Sequence, residues 1–456
     1  MKHAPYPNYK PSGIEWLGDV PEHWPLNRLK WSMSGSVNGV WGDEPDGEND
    51  IVCVRVADFD RRNFQVDLSR PTLRSVTPSQ RRGREIRRGD LLLEKSGGGE
   101  KQMVGCMVRY DHDVPAVCSN FIARVSTASD ADSQYWTYTH AALYAGKLNY
   151  PAIKQTTGIQ NLDSNAYFDT AVPYPPLAEQ RAIAAFLDHE TARVDVLIAK
   201  KHLLIDRLAE YRTALITRTV TKGLPPDIAE AEGFDPSPRL KPSGVEWLGE
   251  VPEHWAISQL RRTFDIVNGG TPASGNERYW GGETDWLTPD DLGRNRAMWI
   301  SGGRRKITRD GVQNSSAQVS PEGSIVLSTR APIGHLAITS VPAATNQGCR
   351  TLVPATTVNG CFAYYSLLAS RSVLQSLGKG STFMELTPTD LGGHQIPLPP
   401  QPEQRAIAKF LDKQTKRIDT LSSRVKTAIE RLTEYRTALI TATVTGKIDI
   451  RENNAA

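Results

Sequence analysis

No stretch of this 456-residue chain approaches the roughly 20 consecutive apolar residues of a membrane-spanning helix. The opening "MKHAPYPNYKPSGIEW" lacks the apolar core of a secretion signal. A soluble, cytoplasmic protein with no membrane partner is expected. Cysteine is scarce. Cys53, Cys106, Cys118, Cys349 and Cys361 never come closer than twelve residues apart, which excludes a disulfide framework and a CxxC metal site. Buried thiols are the expectation. Catalytic motifs are also missing: there is no GxxxxGK[ST] phosphate loop, no HExxH and no glycine fingerprint between a strand and a helix. "SGGGEK" (Ser96–Lys101) lacks the phosphate-loop spacing and reads as a turn. The net charge of +3 decides nothing, so the distribution of charge has to carry the argument.

What the chain does have is a repeat. "KPSGIEWLGDVPEHW" from Lys10 returns as "KPSGVEWLGEVPEHW" from Lys241. "AEQRAIAAFLDHETARVDVL" from Ala178 returns as "PEQRAIAKFLDKQTKRIDTL" from Pro402, and "EYRTALIT" from Glu210 returns at Glu434. A period of this length in two copies is a duplication of whole domains. His23 and His254 recur inside "PEHW", between Pro-Glu and Trp, and packing is their expected role.

The segment from Leu177 to Lys222 has no Gly or Pro and is rich in helix formers. Counting heptads from Leu187 predicts a seam of Leu187, Glu190, Val194, Leu197, Lys201, Leu204, Leu208, Tyr211 and Leu215. In the second copy the count gives Leu411, Gln414, Ile418, Leu421, Val425, Ala428, Leu432, Tyr435 and Leu439. Gly223 and Gly446 stand where left-handed caps belong. Two helices each packed on its own domain would also satisfy the pattern. The shared narrow seam favours an antiparallel pair about 60 Å long.

The regions between the repeats carry short apolar runs bounded by turn residues, such as "DIVCVRVADF", "GDLLLEKSGGG" and "GSIVLSTRAPIG", with one short helix in each. The fold class is therefore α+β: two mixed α/β domains separated by a pair of long antiparallel coiled-coil helices, with a pseudo-two-fold internal repeat. The boundaries are 1–176 for the first domain, 177–222 for its helix, 223–241 for a linker, 242–399 for the second domain, 400–446 for the second helix and 447–456 for a tail.

Arginines crowd one place in each domain. Arg61, Arg62, Arg70, Arg74, Arg81, Arg82, Arg84, Arg87 and Arg88 face only two acids in the same interval. At the equivalent place stand Arg294, Arg296, Arg304, Arg305, Lys306 and Arg309. A solvated basic face would look the same. Matched positions and the choice of Arg favour phosphate and base-edge contact. Trp41, Phe64, Tyr279, Trp280 and Trp299 supply aromatic rings nearby.

The combination resembles the specificity (S) subunit of type I restriction–modification systems. The resemblance rests on the paired "PSGxEWLGxVPEHW" openings, the "PLPPQPEQRAIAKFLD"-type helix starts and the "EYRTALIT" ends. It rests also on "NGGTPASGNERYWGGETDWLTPDDLG" and "ATNQGCRTLVP" in the second domain. The first domain departs from that pattern, although "VCSNFIARV" places Asn120 opposite Asn346. The resemblance implies double-stranded DNA as a partner, read at a split site with one half-site per domain. It implies two methyltransferase (M) subunits and two restriction (R) subunits docked on the helices. S-adenosylmethionine, ATP and Mg belong to those subunits; this chain binds no cofactor or metal and has no catalytic residue. Two other readings differ in class. A fused nuclease–methyltransferase would need an (Asp/Asn/Ser)-Pro-Pro-aromatic motif, which "YPPL" and "LPPQ" do not supply. A non-catalytic scaffold that reads no DNA would bind random duplex without the steep salt dependence of phosphate contacts.

Overall fold

The computed structural model describes residues 4–98, 102–156, 158–380 and 384–451. The last three residues of "SGGGEK" lie outside them. The chain divides into two compact units. One is formed by 1–201 with 427–456, the other by 202–426. Neither unit is a continuous segment bounded at 176 or 399. The long helices α1 (Leu177–Lys222) and α2 (Gln401–Val444) each contribute one end to each unit.

Both units carry a mixed sheet with the same order over five strands, and the first unit adds a sixth at the edge. In the first, the strand order is Met33–Asn38, Ile122–Thr127, Leu91–Glu94, Met107–Arg109, Gln65–Val66 and Phe59–Asp60. In the second it is Phe264–Asn268, Cys349–Pro354, Ile325–Ser328, Leu336–Thr339 and Trp299–Ile300. A three-stranded sheet accompanies each: Ala116–Cys118, Asp50–Val54 and Leu73–Ser75 in one, Arg305–Ile307, Trp280–Leu287 and Ala343–Thr345 in the other. The central strands read as continuous apolar runs because both of their faces are covered. Leu91 and Leu93 enter the core that holds the helix Ser133–Ala145 and Leu187, while Leu92 enters the core of Val54, Val108 and Cys118. Ile325 and Leu327 pack with Phe362 and Leu411, and Val326 with Leu292 and Cys349. Period-two alternation thus feeds two cores from one strand.

The repeated phrases build one joint per unit. Glu403, near the start of α2, accepts from Trp255 Nε1 at 3.0 Å and lies 2.9 Å from His254 Nε2. Glu179, near the start of α1, accepts from the Tyr6 hydroxyl at 2.6 Å and lies 3.0 Å from His23 Nε2. The adjacent glutamine ties each helix start to its domain. Gln404 Nε2 donates to the Pro399 carbonyl at 2.8 Å and its Oε1 accepts from Asn359 N, the cap of helix Gly360–Ala369. Gln180 repeats this with Pro175 and with Asp132 N, the cap of helix Ser133–Ala145. The helix ends close the joints. Gly223 (φ +87°) lies against Trp255, and Gly446 (φ +74°) against Trp24 and Pro21, so close that a Cβ would stand 2.6 Å from Pro21 Cγ. Each "PEHW" therefore clasps the start of one helix and the end of the other. An antiparallel pair has two such places, which accounts for two copies of the phrase.

Within the first unit Arg436 Nε lies 3.3 Å from Asp195 Oδ2, and within the second Arg212 Nε lies 3.3 Å from Asp419 Oδ1. Both pairs fit helices running antiparallel. The buried line differs from the expected seam. Leu187, Val194, Leu411, Ile418, Val425 and Leu439 are buried. Leu197, Leu204, Tyr211, Leu421 and Tyr435, which the heptad count places inside, are exposed. Thr191, Ile198, Thr415 and Arg436, each one residue after a counted position (Glu190, Leu197, Gln414 and Tyr435), are buried. Steps of four then three and steps of three then four share a mean period of 3.5, and apolar neighbours such as Leu197–Ile198 and Leu204–Ile205 leave the sequence undecided between them.

Two boundaries need correction. The 223–241 stretch is not a plain exposed linker, since Pro226–Ala231 is helical and Ala229 joins the core. The tail is not free from 447 onward. Ile450 is buried, Asp449 N donates to the Ala4 carbonyl at 2.8 Å, and Lys447 Nζ donates to the Leu17 carbonyl at 2.9 Å. Among the described residues no helix is long and apolar enough to cross a membrane.

Candidate nucleic-acid interface

The arginine cluster of the first domain is taken apart by the fold. Arg61 is an internal partner: its Nη2 lies 2.8 Å from Glu94 Oε2, and Glu94 is fully buried. Burial pushes the Glu94 carboxyl up, and the Arg61 charge opposes that shift. Arg62 lies 3.5 Å from Asp195 of α1. Arg74 is buried, pairs with Glu44 and stacks 4.6 Å from the Trp41 ring centroid. Arg81 donates to the carbonyls of Val76 and Asn49, and Arg84 to that of Gln80. Arg88 pairs with Asp113 at 3.1 Å. Arg82 and Arg87 keep exposed side chains with no partner among the described residues.

The second domain divides its candidates in the same way. Arg294 pairs with Asp290, Arg304 with Asp290 and Asp291, and Lys306 with Asp285 at 3.1 Å. Arg296 and Arg309 are exposed and without a partner among the described residues. Arg305 lies 3.5 Å from the Trp280 ring centroid and 5.7 Å from that of Trp286. Tyr279 is half-buried and lends its backbone carbonyl to Thr308 N.

Another constellation recurs in both units, and sequence reasoning found only part of it. The loop after Phe264–Asn268 presses on the loop before Cys349–Pro354. A Cβ on Gly269 would stand 2.5 Å from the Asn346 carbonyl carbon, so only glycine fits. Thr271 Oγ1 donates to Gln347 Oε1, Trp286 Nε1 to the Gly270 carbonyl at 2.9 Å, and Asn346 Oδ1 accepts from Gly348 N at 3.0 Å. Arg330, at the neighbouring strand end, pairs with Glu385 at 3.2 Å. In the first unit the loop after Met33–Asn38 presses on the loop before Ile122–Thr127. A Cβ on Gly39 would stand 2.6 Å from the Cys118 carbonyl carbon. There Lys95 Nζ donates to Asn38 Oδ1, and Trp41, Asn120 and Phe121 are exposed. The glycine contact is the same in both, and the side chains around it differ. A rigid backbone crossing that presents amides, a cation and aromatic faces suits base edges and backbone phosphate. Lys95, Phe121, Thr271, Gln347 and Arg330 belong to this cluster and were not singled out from the sequence. The signal for Thr271 lay inside "NGGTP" and that for Gln347 inside "ATNQG".

Comparison with known proteins adds the following. Residues 252–431 match the family model described as type I restriction modification DNA specificity domain. The type I restriction enzyme MjaIX specificity subunit of Methanocaldococcus jannaschii is 36% identical over 167 residues, which cover 36% of this chain and 38% of that relative. The putative type I restriction enzyme MjaX specificity subunit of the same organism is 28% identical over 445 residues, 95% of this chain and 96% of the relative. Two solved structures share the fold. One belongs to work on complex assembly and conformational transition of the type I restriction–modification system, with a TM-score of 0.67 at 20% identity, covering 93% of this chain and 98% of that one. The other is the HsdS subunit from Thermoanaerobacter tengcongensis, with a TM-score of 0.55 at 18% identity, covering 94% and 98%.

Proposed function

We propose, from the premise that this chain belongs to the specificity-subunit family of type I restriction–modification systems, that it reads a DNA target in two separate words, one per unit. The chain is the DNA-recognising, non-catalytic member of such a system. The supporting observation is the glycine crossing at Gly39 and Gly269, an equal scaffold surrounded by unlike side chains. Equal scaffolds with unlike loops suit two different words better than one palindrome.

In this reading Asn120, Phe121 and Lys95 face one word, and Thr271, Gln347, Arg330 and Asn346 the other. Arg82, Arg87, Arg305 and Arg309 supply phosphate contacts. The helix pair docks two methyltransferase and two restriction subunits, which bring S-adenosylmethionine, ATP and Mg. Leu197 with Tyr435, and Tyr211 with Leu421, give the helices exposed apolar side chains for that docking. A domain exchange tests the reading. Replacing 25–175 by the equivalent region of a related chain should change one word and leave the other. A change in both words would show that the units do not read independently.

A further inference from the structure

The two units are built alike, so a place filled in one and open in the other is informative. In the first unit the Arg436–Asp195 pair is covered. Arg62 reaches the same carboxylate at 3.5 Å, and the Arg436 guanidinium lies 5.7 Å from the Phe64 ring centroid. In the second unit the strand Trp299–Ile300 takes the place of Gln65–Val66, each pairing in parallel with its neighbour. That register sets Arg296 opposite Arg62, and Met298 opposite Phe64. The helix repeat sets Arg212 opposite Arg436, and Asp419 opposite Asp195.

The Arg212–Asp419 pair persists at 3.3 Å, but Arg212 Nε lies off the line of a hydrogen bond and is buried without an acceptor. Among the described residues no ring stacks on Arg212, and Arg296 meets no carboxylate. A cavity of about 750 Å³ remains between the 296–299 segment, helix Gly360–Ala369 and α2. It runs on into a second of about 680 Å³ that shares Arg212, Arg296, Tyr364 and Asp419. Its floor is apolar: Tyr365 and Ala408 are buried, and Trp299 stands exposed at the rim. Its charge is positive. Lys416 is neutralised by Asp412 and Lys409 by Glu232, whereas Arg296 and Arg405 are exposed and unpaired among the described residues. The His335 imidazole on its wall is held below its usual pKa by burial, then by Arg371 and Arg296.

We propose that this groove receives an acidic protein segment carrying one aromatic side chain. The ring lies under Arg212 as Phe64 lies under Arg436, and carboxylates pair with Arg296 and Arg405. The two joined cavities form an open cleft, which suits an extended segment better than an enclosed small molecule. The inference rests on the reading above, in which other subunits dock on the helices. It adds that docking is unequal, because the first unit fills the equivalent place with its own Phe64.

The test uses the full chain co-expressed with its methyltransferase subunit. A photo-crosslinking benzoylphenylalanine replaces Trp299 in one variant and Gln65, its counterpart, in another. Complex assembly is read by size. Crosslinked peptides are read by mass spectrometry. The proposal expects assembly of both variants, with the Trp299 variant alone crosslinked to a segment rich in Asp and Glu around an aromatic residue. The double variant Arg296→Glu, Arg405→Glu, folded by its melting profile, should lose affinity for the subunit roughly tenfold per contact. Assembly with no crosslink, with equal crosslinks at both places, or with crosslinks to basic segments or DNA overturns the proposal. So does unchanged affinity of the double variant. Failure of the unsubstituted chain to assemble overturns the docking reading itself, and the proposal with it.

Discussion

Replacing Gly269 by alanine drives a methyl carbon toward the Asn346 backbone. An ideal Cβ would stand 2.5 Å from the Asn346 carbonyl carbon and 2.6 Å from Thr345 Oγ1, and still nearer the carbonyl oxygen. Real Cβ contacts essentially never fall below 3.0 Å, so the two loops must part by about an ångström, more than the carbonyl carbon alone would require, because the carbonyl oxygen stands nearer. The obstacle is main chain, which cannot rotate aside as a long side chain can. Overpacking of this kind costs about 1–3 kcal/mol. A domain with about 5–15 kcal/mol in hand survives it, so the unit remains folded while the crossing opens. Thr271, Gln347 and Asn346 then shift together, and side-chain hydrogen bonds weaken steeply once distance or angle departs from ideal. The assay pairs urea unfolding of the variant with a genome-wide map of methylated adenines after co-expression with the methyltransferase subunit. The expected result is a modest loss of stability and a relaxed second word beside an intact first word. Gly39→Ala should do the reverse, relaxing the first word. Unchanged stability with both words kept would refute the argument from close approach. Loss of both words would refute the independence of the units.

Arg61→Ala leaves Glu94 buried without its cation, and should cost about 3–5 kcal/mol of stability by denaturant titration. Arg82→Ala and Arg87→Ala should leave stability alone and lower the salt slope of DNA binding by about one each, measured by fluorescence anisotropy; an unchanged slope would place both away from phosphate. Burial holds His140 near a pKa of about 3 and His394 near about 4 in the folded chain, against 6.5 unfolded. The folded pKa is depressed, so the stability contribution is present above pH 6.5 and is lost as pH falls toward 4, by about 1.4 kcal/mol per pH unit for each histidine. A melting temperature flat between pH 7 and pH 5 would contradict this. Seven residues inserted in each long helix, after Lys201 and after Lys426, keep the seam in phase and add about 10 Å. If helix length sets the gap between the words, the gap should widen by about three base pairs at roughly 3.4 Å each.

The duplication and the helices were legible because their signals are local. Nine shared residues at "EWLGxVPEHW" and a run without Gly or Pro from Leu177 need no tertiary context. Gly223 and Gly446 were readable as caps for the same reason, and both have positive φ. The seam was readable only to its mean period. Which of two neighbours turns inward depends on where the partner helix lies, and that put Leu197 and Tyr435 outside and Ile198 and Arg436 inside. The arginine cluster misled because neighbours in sequence separate in space. Arg61 meets Glu94, Arg62 meets Asp195 and Arg88 meets Asp113, each acid lying 25 or more residues away. The glycine crossing was invisible as an interface because it is made of two loops far apart in the chain, Gly269 and Asn346. Its residues were present only as fragments of motifs.

The central claim is that one chain reads two unlike words. The measurement that tests it most directly is a map of methylated adenines in a host co-expressing the unaltered chain with its methyltransferase subunit. The account predicts two short, different words at a fixed gap, with methylation lost when either word is changed. A single uninterrupted or palindromic word, or two words whose gap varies from site to site, would contradict it.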